Sequence, residues 1–250
     1  GKSWVLVKSM EHAWSIGKNI GYVSPEMSAD KIGYRFDTLH EHYSNTALLR
    51  GASDTISPEE YDKYFEKLQK RDNKFLVATP RDFNNKVTVS KLRTFVTANN
   101  LDILAVDGIT YMSDERYKKG DNKTTSLTNI SEDLMQMSLE LGIPVLVVVQ
   151  SNRGGVDKET PELEDIRDSD GISHNATKVI SLSRKGEALS LTIKKNRDGR
   201  TGDKLTYIWD IDEGRFQWIP SDEDEAPEQR KEERKDEIKK EFKHEGKVVF

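Results

Sequence analysis

The pattern of apolar and polar positions predicts strands and helices that alternate along the first 150 residues. Short runs of apolar residues indicate strands, and apolar residues at three- and four-residue spacing indicate helices. The predicted strands are 19–24, 75–78, 103–106 and 145–149, and the predicted helices are 3–16, 27–43, 57–68, 89–99 and 130–141. Because a strand such as 145–149 has no polar interruption, it is typical of a parallel sheet covered on both faces.

The pattern changes after residue 178, where the predicted strands are separated by clusters of turn-forming residues. These strands are 179–182, 189–193, 205–209 and 215–218. Strands joined by such turns favour an antiparallel meander, which we expect at one edge of the sheet. The expected fold class is therefore α/β, a mostly parallel sheet with helices on both faces and an antiparallel C-terminal edge.

Charge divides the chain near Pro220. The chain has 250 residues, with 39 Lys and Arg against 44 Asp and Glu, so its formal net charge is −5. Residues 221–245 hold 11 acids and 7 bases, which leaves 33 acids and 32 bases elsewhere. We expect one domain over 1–220 and a charged tail over 221–250, disordered or helical, because its few apolar residues cannot form a core. The tail would keep the protein in solution or dock a partner.

Composition excludes several functional classes. The chain contains no cysteine, which rules out disulfides, thiolate zinc sites and a cysteine nucleophile. No apolar run approaches the roughly 20 residues that a membrane-spanning helix needs, and no signal peptide is recognisable. The near-neutral body argues against a globally basic coat for nucleic acid but allows a local basic groove. A soluble cytoplasmic protein without a membrane partner is the expectation.

Gly1, Lys2 and Ser3 match the end of the phosphate-binding pattern G-x-x-x-x-G-K-[ST]. In that pattern, backbone N–H groups hold the phosphates, the lysine neutralises their charge and the hydroxyl binds magnesium. The rest of the pattern and the strand before it are missing here, so we expect an N-terminally truncated nucleotide-binding domain. These three residues alone would also fit a cloning remnant.

Three further polar residues follow predicted strands and should share one edge of the sheet. Asp107 ends the strand 103–106, where a carboxylate can hold magnesium directly or through water. Helix capping is its alternative role. Glu26 could polarise an attacking water or simply favour the start of the next helix. Gln150 could sense a terminal phosphate or serve as a structural amide.

Six ordered segments resemble the C-terminal motor domain of DnaB-like replicative helicases, which include many phage helicases. The segments are Gly-Lys-Ser at 1–3, Val-Ser-Pro-Glu-Met-Ser at 23–28, Leu-Ala-Val-Asp at 104–107, Pro-Val-Leu-Val-Val-Val-Gln-Ser-Asn-Arg at 144–153, Ile-Arg-Asp-Ser-Asp-Gly-Ile at 166–172 and Lys-Asn-Arg-Asp-Gly-Arg-Thr-Gly at 195–202. The resemblance runs from Gly1 to about Trp218. It implies a RecA-like P-loop NTPase that uses ATP or another NTP with Mg²⁺.

The resemblance also implies partners and catalytic roles. The partners would be single-stranded DNA, further copies in a homo-hexamer, primase and other replisome proteins. Residues 1–3 would bind the nucleotide, and Ser3 and Asp107 would be the magnesium ligands. Glu26 corresponds to the catalytic base, and Gln150 to the residue that couples nucleotide state to the DNA-binding loops.

Three basic residues receive roles from the same resemblance. Arg35 corresponds to an arginine near the nucleotide. Lys195 and Arg197 correspond to a catalytic pair that reaches across the subunit interface to a neighbour's γ-phosphate. Their i, i+2 spacing puts both on one side of a strand end, as that role requires. Solvated charges on an exposed hairpin are the alternative.

The expected DNA contacts lie in two segments. The resemblance points to 165–171, with Arg167, Asp168 and Gly171, although the family has glycine where this chain has Asp170. The polar stretch 114–126 is the second candidate, since its composition predicts a mobile loop. Its basic residues include Arg116, Lys118 and Lys119. Phosphate contacts of this kind give sequence-independent, salt-sensitive binding; a flexible surface insertion is the alternative.

Three functions stay open from the residues alone. The first is a helicase motor that couples NTP hydrolysis to movement on DNA. The second is another RecA-like ATPase, such as a recombinase or a ring ATPase that acts on protein. The third is an inactive fragment or an assembly module without a full P-loop. Strand exchange without unwinding would favour the second, and failure to bind nucleotide would favour the third.

Overall fold

The computed structural model describes residues 1–51, 56–150 and 170–220. The helices of these ranges are α1 (Lys2–Ser15), α2 (Ala29–Glu41), α3 (Asn45–Arg50), α4 (Pro58–Gln69), α5 (Val89–Asn99), α6 (Lys123–Leu141) and α7 (Asp170–Asn175). The strands are β1 (Ile20–Val23), β2 (Phe75–Ala78), β3 (Ile103–Val106), β4 (Val145–Val147), β5 (Lys178–Lys185), β6 (Ala188–Asn196), β7 (Lys204–Asp210) and β8 (Arg215–Ile219). Short 3₁₀ helices occupy Pro80–Phe83 and Ile109–Tyr111.

Strands β1 to β4 form the parallel sheet that the apolar runs predict. Their order is β2-β1-β3-β4, and β1 pairs in parallel with both β2 and β3. All four residues of β1 are buried, as expected for a central strand covered on both faces. Because the strands are parallel, the segments that follow β1, β3 and β4 leave the sheet at one edge.

Helices cover both faces of this sheet, which confirms the α/β expectation. On one face, α1 and α2 pack their apolar stripes around the buried residues Ile20, Tyr22 and Ala105. On the other face, α5 and α6 pack against Leu104 and Val106. The alternation along β3 follows from the two-residue period of a strand, which turns successive side chains to opposite faces.

The C-terminal strands form an antiparallel sheet in the order β5-β6-β7-β8, as their turn clusters predict. Trp209 of this sheet is buried against Trp4 of α1, with ring centroids 6.0 Å apart. Among the described residues, β4 and β5 do not pair with each other. A cavity of about 360 Å³ is lined by residues of both strands.

The predicted start of the helix over 130–141 is wrong. The helix α6 begins at Lys123, not at residue 130, because the Asn122 side chain accepts a hydrogen bond from the Thr125 amide and caps the first turn. The last part of the stretch 114–126 is therefore helical, and only the residues before Asn122 form the connection that we predicted. Strand β4 also ends at Val147, two residues earlier than predicted.

The helix α3 was not predicted, because a residue far along the chain stabilises it. The Ser44 side chain caps its first turn by accepting from the Ala47 amide. Asp212, in the turn between β7 and β8, accepts hydrogen bonds from the Ser44 hydroxyl at 2.8 Å and from the Thr46 amide at 2.7 Å. Local periodicity over six residues carries too little signal to reveal such a helix.

Two predictions fall outside the described residues: the tail 221–250, and Arg167 and Asp168 in the proposed DNA loop. The domain boundary at residue 220 stays a prediction.

No helix in the three described ranges is both long and apolar enough to cross a membrane.

Candidate nucleotide-binding site

Lys2 and Ser3 lie in the first turn of α1. Gly1 is the N-cap, and its carbonyl accepts from the Val5 amide at 3.1 Å. The first amide groups of a helix have no partner within the helix, and the helix dipole adds a partial positive charge there. The first turn of α1 contains no acidic residue. Its N-terminus therefore attracts anions, as the phosphate-binding pattern requires.

Asp107 meets Ser3 at the carboxyl end of β3. The Ser3 hydroxyl donates to Asp107 Oδ1 at 3.1 Å, and the Tyr22 hydroxyl donates to Oδ2 at 2.9 Å. Gly108 follows at φ 124°, in the left-handed half of the backbone map that favours glycine. The chain therefore turns sharply straight after the carboxylate, which leaves Asp107 at the end of the sheet with both oxygens engaged.

A cavity of about 200 Å³ brings together six of the residues predicted for the nucleotide site. Six of its ten lining residues were proposed from the sequence: Gly1, Lys2, Ser3, Glu26, Asp107 and Gln150. They come from the start of α1 and from the segments after β1, β3 and β4, at the edge where these strands end. The convergence confirms that these segments share one edge of the sheet, although the chemical roles remain predictions.

Glu26 is carried by a turn that Ser24 stabilises. The Ser24 hydroxyl donates to the Met27 carbonyl at 2.9 Å, and it accepts from the Met27 amide at 3.2 Å. This pair of bonds closes the segment between β1 and α2. Glu26 is exposed at the cavity wall, so water can reach its carboxylate.

Arg35 lies beside the cavity without lining it. Its guanidinium stands over the Trp4 ring, 5.2 Å from the ring centroid, a distance typical of a cation–π contact. Burial lowers the pKa of Arg35, while the charges of Asp107 and Glu26 act in the opposite direction. The residue is thus close enough to both carboxylates to influence the charge of the site.

Lys195 and Arg197 lie outside this cavity and bind the last residues of α7. The Lys195 ammonium donates to the Ser173 and His174 carbonyls at 2.8 and 2.9 Å, and Arg197 donates to the His174 carbonyl at 2.8 Å. Burial and the neighbouring Arg197 charge lower the pKa of Lys195. The two side chains therefore lie on one side of the strand end, as their spacing predicted.

The basic residues predicted to bind DNA in the stretch 114–126 differ in their contacts. Arg116 donates to Glu132 at 2.8 Å and lies 3.4 Å from Asp133, so acids of α6 already neutralise its charge. Lys118 and Lys119 are exposed in the connection before α6. Their contact with DNA stays a prediction.

Gly171 has a structural role that the sequence did not reveal. It lies in α7, and a Cβ atom at this position would overlap the side chain of Thr128 in α6. Close packing between α6 and α7 therefore explains the glycine without any contact to DNA. Its predicted contact with DNA remains untested.

Tyr22 is the main residue of this site that sequence reasoning missed. Sequence reasoning also missed three residues that line the cavity itself: Gly108, Thr110 and Tyr111. A tyrosine within a strand that is buried on both faces was a usable signal, because a buried hydroxyl needs a hydrogen-bonding partner. The partner lies 85 residues away in the chain, and sequence spacing does not identify it.

The donor set suits magnesium better than a transition metal. Ser3 and Asp107 offer oxygen atoms, which hard cations prefer. Within the described residues there is no group of three or more His, Cys, Asp or Glu that could form an all-protein metal site. Magnesium commonly binds through one or two protein oxygens together with substrate phosphates and water, so the residues fit this ion.

The fold and this site define a RecA-like P-loop NTPase domain. Two solved structures share the fold: an ATPase domain, with a TM-score of 0.73, 20% identity and coverage of 88% of this chain and 81% of that chain, and a DnaB-like replicative helicase studied with primase, with a TM-score of 0.72, 18% identity and coverage of 87% and 56%. The family described as DnaB-like helicase C terminal domain matches residues 1–217. The chain therefore belongs to the DnaB-like helicase family.

Relatives in bacteria support this membership. A probable plasmid replicative DNA helicase of Chlamydia trachomatis serovar L2 is 26% identical over 187 residues, which are 73% of this chain and 40% of the relative. The replicative DNA helicase DnaB of Rickettsia typhi is 26% identical over 206 residues, which are 78% of this chain and 39% of the relative. The chain thus spans about two fifths of the length of these relatives.

Proposed function

We propose that this chain is the motor domain of a replicative DNA helicase. It would hydrolyse ATP or another NTP, translocate on single-stranded DNA and unwind duplex DNA as a ring. The observation that carries the proposal is the single cavity in which Lys2, Ser3, Glu26, Asp107 and Gln150 meet at the N-terminus of α1. In phosphoryl transfer, catalysis consists mainly of positioning and of stabilising negative charge, and these residues supply both.

The phosphates of the nucleotide would bind at the first turn of α1. Its free amide groups and the Lys2 ammonium provide the positive charge that the phosphates need. Ser3 and Asp107 would hold magnesium, because their oxygens lie within 3.1 Å of each other at the cavity wall. When bound, the ion neutralises charge on the phosphate oxygens.

Glu26 is proposed as the general base for the attacking water. It is exposed at the cavity and lies on a turn closed by Ser24, so water can reach its carboxylate beside the proposed phosphate site. Gln150, which follows β4 and lines the same cavity, would sense the presence of that phosphate. Both roles are proposed because Glu26 and Gln150 line the cavity and because their side chains have the chemistry that each role needs.

Lys195 and Arg197 would act on the nucleotide of a neighbouring subunit in a homo-hexamer. Neither lines the cavity of its own chain, and both project from the same strand end. An arginine supplied in trans can raise phosphoryl-transfer rates by roughly 10³–10⁵. Arg35 would complement the negative charge of the nucleotide from its position beside the cavity.

Partners beyond the nucleotide follow from the family. Single-stranded DNA would pass along Lys118, Lys119 and the segment that precedes α7, which includes Arg167 and Asp168. Primase is a proposed partner because the solved DnaB-like helicase that shares this fold was studied for its interactions with primase. Replicating DNA lies in the cytoplasm of bacteria, so we propose the cytoplasm as the place of action, that of the host if a phage encodes the chain.

The test measures ATP hydrolysis, with and without single-stranded DNA, by the chain extended at its N-terminus to a complete phosphate-binding loop. We expect DNA to stimulate hydrolysis, and Lys2→Ala and Glu26→Gln each to lower it on the order of 100-fold or more, since each removes charge that acts on the transition state. Lys18→Ala and Glu41→Gln are matched controls at exposed positions outside the cavity. Wild-type turnover in both site variants would refute the proposal.

Two further experiments separate the helicase from the other two candidate functions. A recombinase-type ATPase would exchange DNA strands without unwinding them. An inactive fragment would show no magnesium-dependent ATP binding by calorimetry. The match of the DnaB-like helicase family to residues 1–217 supports the helicase over these two alternatives.

A further inference from the structure

Tyr22 is a polar residue at the centre of an apolar sheet. It has no exposed surface, and its neighbours in β1 are buried as well. Strands covered on both faces are normally apolar, and a buried phenol loses stability unless its hydroxyl is hydrogen-bonded. The only hydrogen bond of this hydroxyl within the described residues is the one to Asp107 Oδ2, at 2.9 Å.

The direction of this hydrogen bond is defined by chemistry. An ionised carboxylate oxygen can only accept a hydrogen bond, so the Tyr22 hydroxyl donates to Asp107 Oδ2. Asp107 is itself 4% exposed, and its second oxygen, Oδ1, accepts from Ser3 at 3.1 Å. The two oxygens of Asp107 therefore have different partners, one deep in the sheet and one at the cavity.

We propose that Tyr22 is a positioning residue for metal-dependent nucleotide binding, a role that rests on the function proposed above. The terminal torsion of an aspartate is soft and roughly two-fold, so a carboxylate held at one oxygen only can rotate. The Tyr22 hydroxyl holds Oδ2 and keeps Oδ1 turned towards Ser3. Tyr22 touches neither nucleotide nor metal and acts through the orientation of Asp107.

The substitution Tyr22→Phe removes one oxygen and keeps the ring. The ring of Tyr22 stacks on Phe75 with centroids 6.3 Å apart, and phenylalanine keeps this packing. Tyr64→Phe is the matched control. Tyr64 is 2% exposed, and its hydroxyl donates to another buried carboxylate, Asp37, at 2.8 Å; neither residue lines the cavity.

The experiment titrates Mg²⁺ into the 250-residue chain with a fluorescent ATP analogue and records the concentration for half-maximal binding. We expect Tyr22→Phe to need roughly 10-fold more Mg²⁺ than the wild type, because loss of a residue that orients a metal ligand typically costs about 10- to 100-fold in metal affinity. Binding of the analogue without Mg²⁺ should stay unchanged. Tyr64→Phe should titrate like the wild type.

Three outcomes would overturn the inference. Tyr22→Phe could reach half-saturation at the wild-type Mg²⁺ concentration. It could lose metal-free binding to the same extent, which would mean general damage to the site. Tyr64→Phe could shift equally, which would show that any lost tyrosine bond has this effect. A wild-type chain without Mg²⁺-dependent binding would instead refute the proposed function itself.

A second measurement decides the question if Tyr22→Phe does not fold. The wild-type chain labelled with 3-fluorotyrosine reports on each phenol by ¹⁹F NMR. We expect the Tyr22 signal to shift when Mg²⁺ is added to the bound analogue, because Asp107, which accepts from the Tyr22 hydroxyl, would then hold the ion, while the Tyr64 signal stays in place. An unmoved Tyr22 signal would overturn the inference.

Discussion

Asp107 and Asp37 are two carboxylates in closely similar surroundings. Each is 4% exposed. Asp107 accepts hydrogen bonds from one tyrosine and one serine, and Asp37 accepts from Tyr61 at 2.6 Å and from Tyr64 at 2.8 Å. By burial and hydrogen bonding alone, the two would be assigned the same role.

The surroundings beyond the hydrogen bonds separate them. Asp107 lines a cavity together with Lys2, Glu26 and the N-terminus of α1. Asp37 lies on α2 and contacts two tyrosines of α4, and the Tyr61 and Tyr64 rings stack with centroids 6.0 Å apart. Burial raises the pKa of Asp37, against the effect of its two hydroxyl donors. Burial does not distinguish the two carboxylates, because Asp107 and Asp37 are equally buried. Asp107 is the functional candidate because it borders a cavity with positive charge nearby.

Replacing each carboxylate by its amide gives the largest expected difference. Asp107→Asn should lower ATP hydrolysis by roughly 100- to 1000-fold, since it weakens the site that holds magnesium near the phosphates. Asp37→Asn removes the same charge from α2 and should leave hydrolysis per folded molecule unchanged. Steady-state hydrolysis assays with circular dichroism as the folding control compare the pair. Equal losses in both variants would break the distinction.

A third carboxylate, Glu11, sharpens the comparison through pH. Burial opposes its ionisation, but hydrogen bonds from His40, Lys8 and Ser15 outweigh burial and lower its pKa to about 2. The folded pKa lies below the unfolded one, so the stabilisation is present above the ordinary value of 4.5 and is lost as the pH falls towards 2. We expect a loss on the order of 2 kcal/mol in the free energy of unfolding from this group.

Urea unfolding between about pH 5 and about pH 2.5 measures this loss. Glu11→Gln should flatten the fall in unfolding free energy over this range, because the variant has no proton to take up. Asp37 has a raised pKa, so its contribution runs the other way: it is present below the unfolded pKa and is lost as the pH rises through the folded one. Identical slopes for the wild type and Glu11→Gln would contradict the assignment.

The smallest expected effect comes from Tyr61→Phe. Its hydroxyl donates to Asp37 from a partly buried position, and water can replace part of that bond. We expect the free energy of unfolding to fall by about 1 kcal/mol, the usual net value of such a bond, with no change in the Mg²⁺ dependence of nucleotide binding. Thermal unfolding and the Mg²⁺ titration check both statements. A changed Mg²⁺ dependence would connect the Asp37 cluster to the nucleotide site.

Elements with strong local signals were predicted closely. The strands 75–78 and 103–106 match β2 and β3 to the residue, because each is an uninterrupted apolar run. The helix α4 begins within one residue of its predicted start because a capping box defines that end: the Ser57 side chain accepts from the Glu60 amide, and the Glu60 carboxylate accepts from the Ser57 amide. These features depend on neighbours within four residues.

Features that depend on distant partners were not predicted. The short helix α3 relies on Asp212, and the packing of Gly171 relies on Thr128 of another helix. The candidate site shows the same division. Lys2, Ser3, Glu26, Asp107 and Gln150 follow from motifs and strand ends, whereas Tyr22 enters the site only through a contact across 85 residues.

The sequence by itself determined that this is an α/β domain and identified six of the ten residues that line the cavity at the edge of its parallel sheet. Apolar periodicity and strand-end polar residues are local properties, and parallel strands necessarily end together. Only the tertiary structure decided which buried carboxylate faces a cavity and which is enclosed by tyrosines. That difference depends on which helices and strands pack against each aspartate, and such packing joins residues that no local pattern connects.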